Sequence, residues 1–500
     1  MIRTLALVRY DLLGLLRDRG TLLLLAAALL LALYGLFEGT RFQRQVHGVG
    51  LAAAAQENGA RAAAGELAAR YFANPDAPEF AGLQYYRTPV DVRGYAFRAH
   101  VGFASLPVLP GAAFAIGEAD IRPSTVRVHA ESMESVRTAA EIEHPARLAT
   151  GRYDLMFFVV YLWPLLLSSL TASVLSQDRE SLRLRSLLLQ GVGSSRILFV
   201  QAGSRALLAT ALLTVTVASA AFMLGAVPLD AAGLAAVARW AGVVLLYSVF
   251  WGAVASAVCA CCANRMNAAF AGFGLWLLFA IVVPAALDVA ARVKAPVPPR
   301  ERYVQAMRDA LDQVNANRVA SLARLYDSHP EWKPTRTLPG QVSSSVSRLH
   351  RAQELERRML GVEREFALAE QARSALFERL SLLSPVTLAN AAFHAAAGND
   401  HARHRRFIGE VARHQNALRG WFQDAIQRAA LDDERTRCAR TCLGGYGFRD
   451  FDRVPRFAAS PALAAPSGLP LRAWALLAWA GGFALLALAV LARERRRQRG

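Results

Sequence analysis

The sequence predicts a mainly α, polytopic membrane protein with six transmembrane helices and two large extracytoplasmic insertions, the first mixed α/β and the second long-helical. Three observations predict it. Hydrophobic residues make up 54% of the 500, more than an ordinary soluble domain carries. Six segments each hold about 20 mostly apolar residues, the length a helix needs where no water can satisfy a bare backbone. The formal charge is +18, and its arginines crowd the short flanks of those segments, as in loops that stay cytoplasmic. A charge this large also suits nucleic acid, but basic residues beside apolar runs mark membrane flanks. A lipid bilayer is therefore the expected surrounding, and nucleic acid is not an expected partner.

Residues 1–20 lead into a long apolar run with no prompt A-x-A-like cleavage site, so an uncleaved anchor is expected. The spans are expected at 21–37, 155–175, 206–227, 240–260, 268–287 and 473–491. Arg3, Arg9, Arg17 and Arg19 precede the first, Arg179, Arg183, Arg185, Arg196 and Arg205 lie in 176–205, and 492–500 forms a basic tail. Placing these flanks in the cytoplasm puts both termini inside and leaves 38–154 and 288–472 outside. Within 38–154, "LAAAAQENGARAAAGELAARYF" favours a helix that continues the first span as a stalk. "NPDAPEFAGLQYYRTPVDVRGYAF" then predicts short strands and turns. Within 288–472, helices are predicted over 299–328, with proline in the first turn, over 341–383, about 60 Å long, and over 400–431. "HPEWKPTRTLPG" separates the first of these from the second.

Several chemistries are missing. A nucleotide-binding G-x-x-x-x-G-K-[ST] loop needs a lysine after glycine, and the only lysines stand in "RVKAP" and "EWKPT", at Lys294 and Lys333. No H-E-x-x-H or G-x-S-x-G occurs, so no catalytic residue, metal or cofactor is expected in this chain. His401 and His404 share a helix face beside Asp400 in "NDHARHRRF", but the neighbouring arginines oppose a cation. Cys438 and Cys442, in "RTRCARTCLGG", fall in a compartment where a disulfide and two free thiols both stay open. Cys259, Cys261 and Cys262 read as small packing residues. Gly252, Ser256 and Ala260 form a small-x-x-x-small series that permits close helix contact.

Between the second and third spans lies "SQDRESLRLRSLLLQGVGSSR", residues 176–196. A helix from about Asp178 to Gln190 would place Leu184, Leu187 and Leu188 in one stripe, with charges concentrated earlier. Such an element can lie in a groove, or it can be a solvated loop whose arginines serve topology alone.

This insert resembles the ABC-2 type transporter permeases, which carry an acidic-Arg-Glu-x-G-T-x-x-x-L-L sequence, a glycine or proline break and a basic residue before the third span. The match runs through Asp178, Arg179, Glu180, Leu188, Leu189 and Arg196, with Arg205 where a Gly-Lys often stands; Ser181 and Leu182 stand where G-T is expected, which leaves the helix register open. "GAAFAIGEADIRPSTVRV", "PARLATGRYDLMFFVVYLWPLL", "FWGAVASAVCACCANRMNAAFAGFGLWLLFAIVVPA" and "LSPVTLANAAFHAAAGNDHARHRRF" are similar, in order, to segments of a subfamily with large extracytoplasmic insertions of unknown function.

The resemblance implies the transmembrane subunit of an exporter in a bacterial cytoplasmic (inner) membrane, with both insertions periplasmic or extracellular. Two such subunits, identical or paralogous, would join two copies of a separate ABC ATPase that holds ATP and Mg. The insert would be the coupling helix, with Asp178, Arg179, Glu180, Arg183, Arg185, Leu187, Leu188 and Arg196 docking the ATPase. Residues 1–20 would be an interfacial helix, Leu5, Leu12, Leu13 and Leu16 apolar and Arg9, Asp11, Arg17 and Asp18 polar. A related alternative is an assembly that drives shape change in the outer regions without passing a substrate. A receptor would need a cytoplasmic output domain, for which the short cytoplasmic segments leave no room.

Overall fold

The computed structural model describes residues 2–81, 87–131, 152–171, 174–175, 178, 183–190, 192–342, 344–436, 447–466, 468 and 471–499. Helix α1 (Ile2–Arg17) stops at Asp18, whose carboxylate starts α2 (Arg19–Ala73) by accepting from Gly20 N at 3.1 Å and Thr21 Oγ1 at 2.6 Å. No proline separates the apolar run from the alanine-rich run, and the glycines between them are tolerated, so the two form one helix of 55 residues, about 80 Å long. Helix α3 (Leu155–Thr171) contains a π turn at Phe158–Leu162. After α4 (Arg183–Leu189) come α5 (Ser194–Met223), α6 (Ala231–Cys261) and α7 (Arg265–Lys294).

Among the described residues, five helical stretches are long and apolar enough to cross a membrane: Arg19–Ala73, Ser194–Met223, Ala231–Cys261, Arg265–Lys294 and Leu471–Arg496. Where the second span is expected, the described helix α3 is apolar but shorter than these five. Helix α6 is the most enclosed, with Trp240, Val243, Tyr247, Phe250, Trp251 and Val254 all buried. Two carbonyls of the α3 π turn accept from neighbours: Tyr247 Oη donates to Val160 O at 2.8 Å and Trp276 Nε1 to Tyr161 O at 2.8 Å. Trp163 Nε1 donates to Ser248 Oγ at 2.9 Å. These three donors thus find partners across helices, as an apolar surrounding favours.

Outside the bundle, β1 (Gly102–Ser105) pairs antiparallel with β2 (Thr125–Val128), with Gly102 opposite Val128 and Ser105 opposite Thr125. The strands therefore lie beyond the stretch expected to hold them. Among the described residues of 74–97 there are instead helical turns at Pro78–Phe80, Val92–Gly94 and the start of Tyr95–Ala99. The reason is tertiary: Tyr95 is buried against Phe422, Phe448 and Phe451, and that burial overrides local β preference.

The second insertion is helical. The helix expected over 299–328 is split at Asn317 into α8 (Arg300–Ala316) and α9 (Arg318–Ser328), which lets Leu322, Leu325 and Tyr326 reach Trp332 and Val342. Then follow α10 (Ser344–Leu380), about 55 Å long, α11 (Pro385–Ala397), α12 (His401–Thr436) and α13 (Ala475–Arg499). Phe407, Val411, Leu418, Phe422 and Ile426 recur at helical spacing along α12 and meet Ala64, Ala68 and Tyr71 of the stalk together with both strands. The two insertions thus share one core. Helix α11 belongs instead to the bundle's core, where Val386, Ala389 and Phe393 join Trp240 and Leu476.

The bundle has two unlike ends. Helices α1 and α4, the start of α5 and the close of α13 gather at one, the basic end; α11 and both insertions occupy the other, the insertion end. At the insertion end, α2 crosses the backbone of Ala113 so closely that a β-carbon at Gly39 would run into the Ala113 carbonyl. Gly39→Ala is expected to destabilise the protein by about 2 kcal/mol through overpacking, although alanine is the better helix former by about 1 kcal/mol. Thermal unfolding in detergent reads the sign.

Candidate functional site

At the basic end Arg205 is a charged residue well inside a long apolar helix. Its Nε and Nη2 donate to the two carboxylate oxygens of Asp11 at 2.9 and 2.7 Å, and its Nη1 to Leu170 O at 3.0 Å. A fork-on-fork pair of this kind fixes orientation as well as proximity. It clips α1 to α5 and to the end of α3. The buried stripe of α1 is consequently Leu7, Asp11 and Leu15. Asp11 therefore leaves the polar side assigned to it from the sequence, and Leu13 is exposed.

The insert is built against this pair. Asp178 is 4% exposed and lies 3.6 Å from Arg183. Its burial pushes the carboxyl upward, an effect opposed by Arg183, Gln201 and Arg205. Leu187 packs with Leu184 on Leu7, Val192 and Ile197. Most of the predicted leucine stripe thus faces the protein's own interior. What points outward is Leu188, 40% exposed, Leu189, 83% exposed, and the half-exposed side chain of Arg183. Arg196 is exposed on the first turn of α5. Arg185 lies within α4. Arg179, Glu180, Cys438 and Cys442 lie outside the described residues.

The sequence marks Asp11 as a polar-side residue but shows neither its pairing with Arg205 nor the place of Gln201 beside Asp178. A signal existed, since a guanidinium eleven places into a 30-residue apolar helix demands a buried acid. Nothing local in "RYDLLG" identifies Asp11 as that acid.

The insertion end holds a second polar joint. Asp154, which starts α3, accepts from Phe157 N at 2.7 Å, Ile116 N at 2.7 Å and Gly117 N at 3.3 Å. Burial raises this carboxyl, while the three amides pull it back. Asn399 Nδ2 donates to Ala112 O and Ala115 O at 3.2 and 2.6 Å. Arg403 is buried and donates to Gly398 O at 2.8 Å, Leu463 O at 2.7 Å and Pro107 O at 2.5 Å. Desolvation brings its guanidinium down to about 10.

Gly117 takes φ +51°, and a β-carbon there would collide with the His394 imidazole. Thus 111–122, the start of α3, α11 and the start of α12 meet in one place. Among the described residues no three His, Cys, Asp or Glu side chains are placed to hold a metal ion. His394 and His404 are both pushed down to about 4, chiefly by burial and then by Arg122.

Comparison with known proteins adds one match: residues 300–440, from α8 to just past α12, fit the family described as Domain of unknown function (DUF3526). No curated protein and no solved structure matches the chain.

Two outcomes follow from these joints. Asp11→Ala leaves Arg205 without its carboxylate and is expected to cost about 3 kcal/mol, releasing α1. Faster amide exchange and proteolysis confined to α1 and α4 would register it. For the histidines, the folded state refuses a proton that the unfolded chain accepts between about 4 and the ordinary 6.5, so stability is full above that window and falls as pH is lowered through it. The melting temperature of His394→Asn is expected to depend less steeply on pH across that interval than that of the unchanged protein.

Proposed function

We propose that this chain is the permease subunit of an ATP-driven exporter, a membrane component that receives mechanical work from a separate ATPase. One observation carries the reading. At the end of the bundle where the arginines gather, Leu188 and Leu189 stand exposed on α4, a short helix whose other face is fixed by the packing of Leu184 and Leu187. An exposed apolar pair on a firmly held helix is suited to fill a partner's groove, and the surrounding arginines suit its rim. In this reading ATP and Mg are held by the partner, which suits a chain whose sequence carries no phosphate-binding lysine loop.

In this proposal six helices cross a bacterial inner membrane, both termini and α4 are cytoplasmic, and the insertions lie outside. Two permease subunits, identical or paralogous, associate with two ATPase copies. Asp178 acts as a positioning residue beneath α4, and Arg183, Leu188, Arg196 and the neighbouring Leu189 form the contact surface with Arg179 and Glu180.

A second reading is favoured by a different observation. Helix α2 runs unbroken from the basic end into the core shared by both insertions, which suits transmission of movement to an extracytoplasmic partner without passage of a substrate. Transport by the purified complex in sealed vesicles separates the two.

Docking itself is tested with Leu188→Ser/Leu189→Asp. Association with the ATPase is expected to weaken about thirtyfold, the ~2 kcal/mol of an interface hot spot, with no change in melting temperature because both side chains are exposed. Undiminished co-purification and ATPase stimulation would remove the docking assignment.

A further inference from the structure

Between α5, α6 and α13 runs an apolar groove of about 620 Å³, a volume typical of small-molecule sites. Glycines open it: Gly203 on α5, Gly252 on α6 and Gly481 on α13 all line it. Its hydroxyls are already engaged. Thr210 donates to Ala206 O at 2.7 Å, Ser256 donates to Gly252 O at 2.7 Å, and Ser248 accepts from Trp163. An occupant therefore meets a wall that asks for no hydrogen bonds along its length.

The groove has a polar terminus. On α5, Phe199, Gly203 and Thr210 face it, and stepping back three residues along the same helical face reaches Arg196. On α13, Leu477, Gly481 and Ala484 face it, and the same face continues through the exposed Leu488 to Arg495. The two helices close on each other just there. Leu198 and Ala202 pack with Ala487 and Leu491, and Arg495 Nη2 donates to Ser195 Oγ at 3.1 Å. Both arginines are exposed, and Arg493 and Arg496 stand beside them against the single acid Glu494. Helix α5 begins at this level with no side-chain cap on its first amides, which adds to the positive field.

We propose that the groove holds one acyl chain of an anionic phospholipid, whose phosphate is seated between Arg196 and Arg495. The tail gains little over bulk lipid, because hydrocarbon surrounds it either way; the charges make the site selective. A basic pocket between helix ends is the kind that takes anionic headgroups, at about fivefold in affinity per arginine. The site shares Arg196 with the proposed docking surface, but Arg495, the groove and the lipid readout are separate from it, so the proposal stands or falls apart from the export reading.

The test uses the full chain in nanodiscs of equal parts phosphatidylglycerol and phosphatidylcholine, released into mild detergent, with retained lipids counted by native mass spectrometry. One phosphatidylglycerol per chain is expected to be retained in preference to phosphatidylcholine. Arg495→Gln and Arg196→Gln should each reduce that preference about fivefold. Gly203→Leu/Gly481→Leu should abolish retention while leaving the melting temperature in place, since a β-carbon at either position meets nothing within 4 Å. Equal retention of both lipids, or unchanged retention by the groove-filled variant, overturns the proposal. So does disulfide cross-linking of Gly481→Cys between two chains in native membranes, which would make the groove a contact between copies.

Discussion

A guanidinium largely buried inside a long apolar helix has to be satisfied by the protein itself, because its packed surroundings admit little water and only the partners the fold provides. Arg205 is satisfied by Asp11 and by the carbonyl of Leu170, and the arrangement of the whole basic end follows. Asp11 is drawn inward, so α1 turns Leu7 and Leu15 in with it. Leu7 then forms a floor on which Leu184 and Leu187 rest. The outward exposure of Leu188 and Leu189 is thus decided several contacts away from those leucines. A proposed coupling surface built this way transmits force well, since moving α4 drags α1, α3 and α5 through charge-assisted bonds rather than through loose packing.

The insertion end solves a similar problem with different chemistry. Asp154 is bound by three backbone amides, while Arg403 is held by three carbonyl groups. Segments far apart in the chain are joined by side chain to backbone bonds, and the irregular stretch 106–122 is thereby pinned without any regular sheet. Helix α11 extends this joint into the bundle, where Phe393 and Ala389 share a core with Trp240. The two insertions are consequently fastened to the helical bundle at α2, at α3 and at α11.

Much of this was legible in the sequence. Apolar length located the long helices, and the alanine-rich run correctly predicted that the first would continue as a stalk. The helices at 344–380 and 401–436 came out close to their expected bounds. The strands did not, because aromatic and β-branched residues in 85–97 signal burial as readily as extension, and Tyr95 took the burial. The leucine stripe of the insert was real, but periodicity cannot tell a partner's groove from the protein's own, and two of its three leucines pack at home. Asp11 and Gly117 were invisible for a related reason. Their importance lies in Arg205 and His394, 194 and 277 positions away, and one sequence does not reveal such pairings.

Helix α2 also sets a mechanical scale. From Gly39, where the Ala113 backbone presses on it, to its end at Ala73, it extends about 50 Å with no described break. A rigid rod pivoting there moves its far tip by about 5 Å for a tilt of about 6°. A rearrangement too slight to repack the bundle would thereby be enlarged, at Tyr71 and the aromatic core around it, into a displacement the width of a strand spacing.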